Sequence, residues 1–167
     1  MKISGKVMCV SDDVDTDVIF PARYLTVLDW ETQATHVFEA LGDHMPAKVK
    51  AHQVIAAGWN MGCGSSREHA VTGLLGAGVK LVVAKSYARI FFRNAVNNGL
   101  AVIESPELAD ALTEGCHLEA DLDNGVAQVG DTTIHFQPLP PFLQNILQQG
   151  GIWATLKSSA PVAGNLT

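Results

Sequence analysis

Residues 54–75 read VIAAGWNMGCGSSREHAVTGLL, which is an apolar run, a glycine-rich loop and a segment of helical composition. The apolar run Val54–Ala57 is typical of a short buried strand, and the last part predicts a helix over 66–75. Two similar units follow, with apolar strands predicted at Leu81–Ala84 and Leu100–Ile103. A repeated alternation of strand and helix indicates parallel strands joined by helices.

The C-terminal third predicts an antiparallel part. Apolar and charged residues alternate over 118–122, a turn is predicted at Asp123-Asn124-Gly125, and short strands follow at 126–129 and 132–136. The predicted fold class is therefore α/β, with mainly parallel strands joined by helices and a small antiparallel β meander. The remaining predictions are a strand at Lys6–Val10, helices at 31–41, 86–97 and 105–113, and a short helix after the prolines at 138, 140 and 141. Ser86 and Ser105 stand at the predicted starts of the helices over 86–97 and 105–113.

Length and composition limit the domain count and the class of partner. A chain of 167 residues suffices for one domain, which we place at 1–157, followed by a flexible, small and polar C-terminal tail at 158–167. Charged residues make up 17% of the chain, and the net charge is −6. This negative balance argues against nucleic acid or an anionic membrane as the main partner.

Targeting and cysteine patterns are consistent with a cytoplasmic protein. No run approaches the roughly 20 apolar residues of a membrane span, and the first residues lack an apolar signal core. The three cysteines are far apart and form no Cys-x-x-Cys pair, so we expect neither a disulfide framework nor a metal site held by this chain alone. These cysteines are Cys9, Cys63 and Cys116.

The loop over 62–70 has the features of an anion-binding site. Its glycines let the backbone approach a ligand closely, and the following helix start offers unpaired N–H groups. Arg67 adds a guanidinium fork suited to a carboxylate. A purely structural interpretation also exists, since Ser65 and Glu68 have the spacing of a capping box. The loop is neither a Walker loop nor an esterase elbow.

Three segments resemble motifs of the aconitase superfamily's swivel domain. Residues 62–70 are similar to its Gly-x-Gly-Ser-Ser-Arg-Glu-His-Ala motif, and 13–25 to its Asp-x-Asp-Thr-Asp-x-Ile-x-Pro-x-x-Tyr-Leu motif. Residues 85–95 are similar to its Lys-Ser-Phe-Ala-Arg-Ile-Phe-x-Arg-Asn-Ala helix. A stand-alone chain of this length resembles the small subunits of the isopropylmalate isomerase and homoaconitase family. The resemblance implies a swivelling β/β/α domain.

The resemblance also implies a hydro-lyase that moves a hydroxyl between neighbouring carbons of a 2-hydroxy diacid. In this family a separate large subunit carries a [4Fe–4S] cluster, so no cofactor is expected on this chain. Ser65 matches the family's catalytic base. Ser66 and Arg67 match residues that bind a substrate carboxylate. Asp17 matches an aspartate near the site, and residues 12–17 are equally compatible with a solvated turn.

Substrate choice in this family is implied to rest on the loop that follows the Asp-Thr-Asp motif. Here that loop is Tyr24, Leu25, Thr26 and Val27. Homoaconitase-like members carry an arginine at the third position and isopropylmalate-type members an apolar residue, so Thr26 departs from both. Thr26 offers no charge to balance a third carboxylate, whereas its methyl group remains compatible with an alkyl group. Isopropylmalate or a smaller alkylmalate, such as citramalate or dimethylmalate, is therefore expected over citrate and homocitrate.

Other residues have simpler interpretations, and other functions remain as alternatives. Arg89 and Arg93 are predicted to form structural ion pairs, His69 to be a packing or capping residue, and Cys63 to be a small loop residue. A non-catalytic binding or regulatory module with the same fold is the main alternative function. An RNA-binding role is disfavoured by the negative net charge and the absence of a basic stripe.

Overall fold

The computed structural model describes residues 1–159, which form one mixed seven-stranded sheet with helices at its connections. The strand order is β4-β3-β2-β1-β5-β6-β7. The strands are β1 Lys2–Cys9, β2 Val54–Ala57, β3 Leu81–Ala84, β4 Ala101–Glu104, β5 His117–Asp121, β6 Val126–Val129 and β7 Thr132–His135. The α-helices are α1 Thr16–Ile19, α2 Trp30–Gln33, α3 Met45–Lys50, α4 His69–Gly76, α5 Arg89–Asn97, α6 Pro106–Ala111, α7 Pro141–Gln148 and α8 Ile152–Ser159. Short 3-10 helices span Ala22–Tyr24 and Glu39–Leu41.

The parallel half of the sheet confirms the predicted strand–helix alternation. Strands β2 and β3 are buried at all four positions, as expected for strands covered on both faces. Val54 lies opposite Val7 on β1 and opposite Leu81 on β3, and Leu81 lies opposite Ala101 on β4. The carboxyl ends of β1, β2 and β3 therefore meet at one edge of the sheet.

The antiparallel half confirms the predicted meander, and β1 joins the two halves. Residues 2–6 of β1 pair with β5 in antiparallel fashion, whereas residues 7–9 pair with β2 in parallel. Strand β1 is thus four residues longer at its start than the predicted Lys6–Val10. Its first half was missed because a partially exposed strand with lysine, serine and glycine has no strong apolar signal.

Several predicted helix boundaries are wrong. The single helix predicted over 31–41 is replaced by the short α2 and a separate 3-10 turn, with Phe38 between them in the left-handed region at φ 58°. Helix α5 begins at Arg89 rather than Ser86, whose hydroxyl instead accepts a hydrogen bond from the Asn60 N–H at 2.8 Å. Ser105 caps α6 as predicted, since its hydroxyl accepts from the Leu108 N–H at 3.2 Å.

The predicted domain boundary after residue 157 falls inside α8, which runs to Ser159. Residues 158 and 159 are therefore helical rather than part of a tail. The remainder of the predicted tail, residues 160–167, lies outside the described residues.

Candidate functional site

The candidate site is built where the segments after β1 and β2 run side by side. The Gly62 N–H donates to the Val14 carbonyl at 2.8 Å, and the Thr16 N–H donates to the Cys63 carbonyl at 2.9 Å. These bonds extend the β1–β2 pairing beyond the strands. They place the Asp-Thr-Asp segment, residues 15–17, against the loop that carries Ser65.

The segment after β3 supports the same loop from the other side. The Met61 N–H donates to the Ser86 carbonyl, and the Ala88 N–H donates to the Met61 carbonyl, both at 3.0 Å. Gly62 adopts φ 76° and lies so close to Phe91 that an added Cβ would be less than 3.0 Å from that side chain. The three sequence motifs therefore form one structural unit.

The Asp-Thr-Asp segment holds the loop through side chains. The Thr16 hydroxyl is buried and donates to the Ser65 carbonyl at 2.8 Å. Asp15 caps α1 by accepting from the Asp17 N–H at 2.7 Å, and its carboxylate lies against Gly64, where a Cβ would clash. Residues that sequence analysis could treat as a solvated turn thus position the backbone on both sides of Ser65.

Asp17 and Arg67 form the ion pair of the site. The two terminal guanidinium nitrogens of Arg67 donate to the Asp17 carboxylate, Nη1 to Oδ1 and Nη2 to Oδ2, the latter at 2.8 Å. Nη1 also donates to the Phe20 carbonyl at 3.5 Å. The Arg67 side chain is 12% exposed, whereas that of Asp17 is 52% exposed. A bidentate pair of this kind fixes the plane and direction of the guanidinium.

The loop presents two free hydroxyls and a row of free backbone donors. Ser65 and Ser66 are exposed, and no described residue hydrogen-bonds to either side-chain oxygen. Within residues 1–159, the backbone N–H groups from 64 to 70 donate to no other group. Such a run of unpaired donors before a helix suits a carboxylate ligand.

The capping-box interpretation of this loop is wrong. Helix α4 begins at His69 with Glu68 as its N-cap, and no side chain caps it. Ser65 therefore precedes the helix by four residues, and its hydroxyl is not used for capping. His69 packs as predicted, since its ring stacks on Phe20 with centroids 5.5 Å apart.

Cys63 is the cysteine of this loop. Burial raises its pKa, and the negative charges of Asp15 and Asp13 raise it further. The thiol is therefore held in its protonated, weakly nucleophilic form. This agrees with the interpretation of Cys63 as a small structural residue.

The loop over 24–27 is anchored first at Tyr24. Its hydroxyl donates to Glu39 Oε1 at 3.0 Å, and its ring stacks on His36 with centroids 3.6 Å apart. Glu39 also accepts from Arg23 and from His36 Nδ1, the latter at 2.8 Å. Burial raises the pKa of Glu39, but the hydrogen bonds from His36, Arg23 and Tyr24 outweigh it and hold that pKa below its ordinary value.

The other end of this loop is anchored at Val27. Its carbonyl accepts from the buried Gln33 side chain at 2.9 Å. Leu25 and Thr26, between the two anchors, are exposed. Phe20 links the loop to the site, because its ring meets Tyr24 edge-on at 6.3 Å and stacks on His69.

Sequence reasoning missed three residues of these anchors and misjudged two arginines. Gln33, His36 and Glu39 fell within a predicted ordinary helix, and no local spacing marked them as partners of the loop. Arg89 and Arg93 are exposed and make no ion pair within residues 1–159, so the predicted structural ion pairs are not formed there.

The described residues show neither a metal cluster nor a membrane helix. No three His, Cys, Asp or Glu side chains of residues 1–159 are grouped as they would be to hold a metal ion. No helix in that part of the chain has the length and hydrophobicity to cross a bilayer.

Comparison with known proteins agrees with this geometry. The Aconitase C-terminal domain family matches residues 14–108. The 3-isopropylmalate dehydratase small subunit of Syntrophus aciditrophicus is 47% identical over 154 residues, covering 91% of this chain and 94% of that protein. The 3-isopropylmalate dehydratase small subunit 1 of Methanopyrus kandleri is 44% identical over 163 residues, covering 96% of both chains. A crystal structure of 3-isopropylmalate dehydratase from Methanocaldococcus jannaschii superposes with a TM-score of 0.88 at 41% identity, covering 95% of both chains.

The mixed sheet and the supported Ser-Ser-Arg loop define an aconitase-type swivel domain. This confirms the predicted fold class and the resemblance on which it was based. The chain belongs to the family of 3-isopropylmalate dehydratase small subunits. It is thus the small subunit of a hydro-lyase, and that family name implies a large subunit as its partner.

Proposed function

We propose that this chain completes the active site of an isopropylmalate-type dehydratase, acting on isopropylmalate or a related alkylmalate. The observation that carries the proposal is the loop over 64–70, with two free hydroxyls and unpaired backbone donors beside Arg67. Such a loop can hold a carboxylate and place a base next to it. The alternative of a non-catalytic module is not favoured, because it gives no reason for two unused serine hydroxyls and unpaired backbone donors to lie beside Arg67.

Ser65 is the proposed base. Dehydration of a 2-hydroxy acid requires removal of a weakly acidic C–H proton, and a serine oxygen is a poor base unless its alkoxide is stabilised. The free N–H groups around Ser65 are suited to that task. Thr16 holds the Ser65 backbone through its carbonyl, so the hydroxyl stays directed outward without being consumed by a protein contact.

Ser66 and Arg67 are the proposed carboxylate-binding side chains. Arg67 already binds one carboxylate, that of Asp17, in bidentate fashion. A substrate carboxylate would repel the carboxylate of Asp17, so we do not propose that Asp17 contacts the substrate. Its proposed role is indirect: Asp17 holds the Arg67 guanidinium in the direction needed to bind the substrate. The remaining donors of Arg67 and the Ser66 hydroxyl then face the substrate.

The cluster is proposed to belong to the large subunit. The three cysteines of this chain, Cys9, Cys63 and Cys116, are free and belong to no group of metal-binding side chains within residues 1–159. When bound on the large subunit, a [4Fe–4S] cluster supplies a Lewis acid for the leaving hydroxyl. Three free thiols suit a reducing cytoplasm, which is the proposed location.

The loop at Tyr24, Leu25, Thr26 and Val27 is proposed to contact the variable group of the substrate. Thr26 is exposed and carries no charge, so it suits an alkyl group better than a further carboxylate. Arg23 beside it is ion-paired with Glu39, the same residue that anchors Tyr24.

The test is anaerobic assay of the complex with its large subunit. Isopropylmalate, citramalate, dimethylmalate, homocitrate and citrate are offered in turn, and dehydration is followed for the wild type and Ser65→Ala. We expect turnover of an alkylmalate that falls by about a hundredfold or more in Ser65→Ala with the complex intact. Ser4→Ala, an exposed serine on β1, is the matched control and should retain full activity. Full activity in Ser65→Ala would refute the assignment of the base.

The loop assignment has its own test in Thr26→Arg. An arginine at this position should favour citrate and homocitrate over alkylmalates by about tenfold or more, because it balances the extra carboxylate. Unchanged relative rates for the two substrate groups would show that the loop does not read the variable group.

A further inference from the structure

A buried glutamine connects the loop over 24–27 to helix α4. Gln33 is 2% exposed, its Nε2 donates to the Val27 carbonyl at 2.9 Å, and its Oε1 accepts from the Thr72 hydroxyl at 2.5 Å. The orientation of the amide is determined by chemistry, since a carbonyl can only accept and Nε2 must therefore face Val27. Thr72 is itself 5% exposed and lies in the first turn of α4.

The helices that carry this connection are in close contact. Gly73 and Gly76 lie on the side of α4 that faces α2 and the residues after it. A Cβ on Gly76 would be less than 3.0 Å from the Trp30 carbonyl, and one on Gly73 would be 2.9 Å from Val37 Cγ1. Glycine at both positions allows α2 to approach α4 closely, so Gln33 is held in place against α4.

The position of Thr26, at the tip of the loop over 24–27, depends on contacts at the two ends of that loop. Thr26 is exposed, and within residues 1–159 its side chain makes no hydrogen bond. The Val27 N–H donates to the Tyr24 carbonyl at 2.9 Å, which closes a turn around Thr26. One end of that turn is anchored by Tyr24 on Glu39, and the other by Gln33 on the Val27 carbonyl.

We propose that Gln33 is a positioning residue for substrate selection. Helix α4 directly follows the loop with Ser65, so the Thr72–Gln33–Val27 chain sets the place of Thr26 relative to the catalytic loop. Without this chain of hydrogen bonds, the loop over 24–27 loses its fixed position relative to Ser65. Substrates that differ only in the alkyl group are then poorly distinguished. The proposal rests on the proposed function of the loop.

Gln33→Met is the test variant, because methionine has similar length and no hydrogen-bonding amide. In the complex with the large subunit, we expect the ratio of kcat/KM values for isopropylmalate and citramalate to change by about tenfold. The change should arise mainly in KM for isopropylmalate, while kcat for citramalate stays within about twofold of the wild type, since a positioning role spares the base.

Two sets of controls separate positioning from general destabilisation. Gln144→Met removes the same kind of bond elsewhere, because Gln144 Nε2 donates to the Leu139 carbonyl at 2.7 Å, and it should leave the ratio unchanged. Thr72→Val should change the ratio in the same direction as Gln33→Met, whereas Thr72→Ser keeps the hydroxyl and should restore the wild-type ratio. Amide exchange of Val27 should be faster in Gln33→Met and unchanged in Gln144→Met, a readout that needs no substrate.

The outcomes distinguish this proposal from the one on which it rests. A wild-type complex inactive with every substrate overturns the proposed function. An active wild-type complex with an unchanged ratio in Gln33→Met overturns only the role of Gln33. A uniform loss for all substrates in that variant overturns it as well, because it shows a structural contribution without selection.

Discussion

Gly62→Ala tests the contact between the loop over 62–70 and helix α5. Gly62 has φ 76°, and its Cα lies against Phe91, a side chain that is only 2% exposed. A methyl group at this position therefore meets two obstacles: an unfavourable backbone conformation and a buried ring. We expect a large loss of stability together with a displaced Ser65.

The magnitude follows from these two terms. Placing alanine in the left-handed region costs about 1–2 kcal/mol. Overpacking a filled site costs about 1–3 kcal/mol more. The nearest atoms are Cγ and Cβ of Phe91, close to the helix backbone, so the ring has no simple rotation that removes the overlap. The expected loss in the free energy of unfolding is therefore about 2–5 kcal/mol, a large part of the roughly 5–15 kcal/mol typical of a folded protein.

The assay is urea unfolding of the wild type, Gly62→Ala and a matched control, Gly78→Ala. Gly78 also has a positive φ, 89°, but an added Cβ there would meet nothing within 4 Å. The control should lose only the backbone term of about 1–2 kcal/mol. Activity of the complex should also fall in Gly62→Ala without urea, where most molecules are folded. The reason is that the loop must move away from Phe91 to make room for the added methyl group. Equal losses of stability in the two variants would refute the packing argument.

Two further predictions concern the charged groups. Arg67→Lys should raise KM by about tenfold with a smaller effect on kcat, because a point charge replaces the fork that binds Asp17 and is proposed to bind substrate. Arg93→Lys, at an exposed arginine, is the control. Steady-state kinetics that show no difference between the two variants would contradict the assignment. The lowered pKa of Glu39 means that its contribution to stability is present above its unfolded pKa of about 4.3 and is lost as the pH falls through the folded value. Glu39→Gln should therefore weaken the loss of the urea midpoint as the pH falls below about 4.3. An unchanged pH dependence would show that Glu39 makes no such contribution to stability.

The sequence predicted the parallel half of the fold because its signals are local. Apolar runs such as Val54–Ala57 and Leu81–Ala84 are bounded by loop residues, and burial on both faces requires that composition. The three motifs also led to the correct family. What their residues contribute to chemistry stays a prediction until the variants are assayed.

Predictions from local spacing were wrong where a residue contacts a partner that is distant along the chain. Ser65 and Glu68 have the spacing of a capping box, yet Thr16 captures the Ser65 carbonyl and α4 starts only at His69. The helix expected over 31–41 is interrupted because its residues are used to anchor the loop over 24–27. In each case the tertiary contacts of a residue, and not its intrinsic helix propensity, determined its conformation.

The sequence by itself therefore determined the alternation of strands and helices over 54–113, the antiparallel meander, the family and the identity of the loop that carries Ser65. Only the tertiary structure decided that Asp17 is paired with Arg67, fifty residues away along the chain, and that Gln33 joins Val27 to Thr72. The physical reason is that periodicity and capping report contacts within a few residues. Hydrogen bonds between distant segments depend on how the sheet brings the ends of β1, β2 and β3 together.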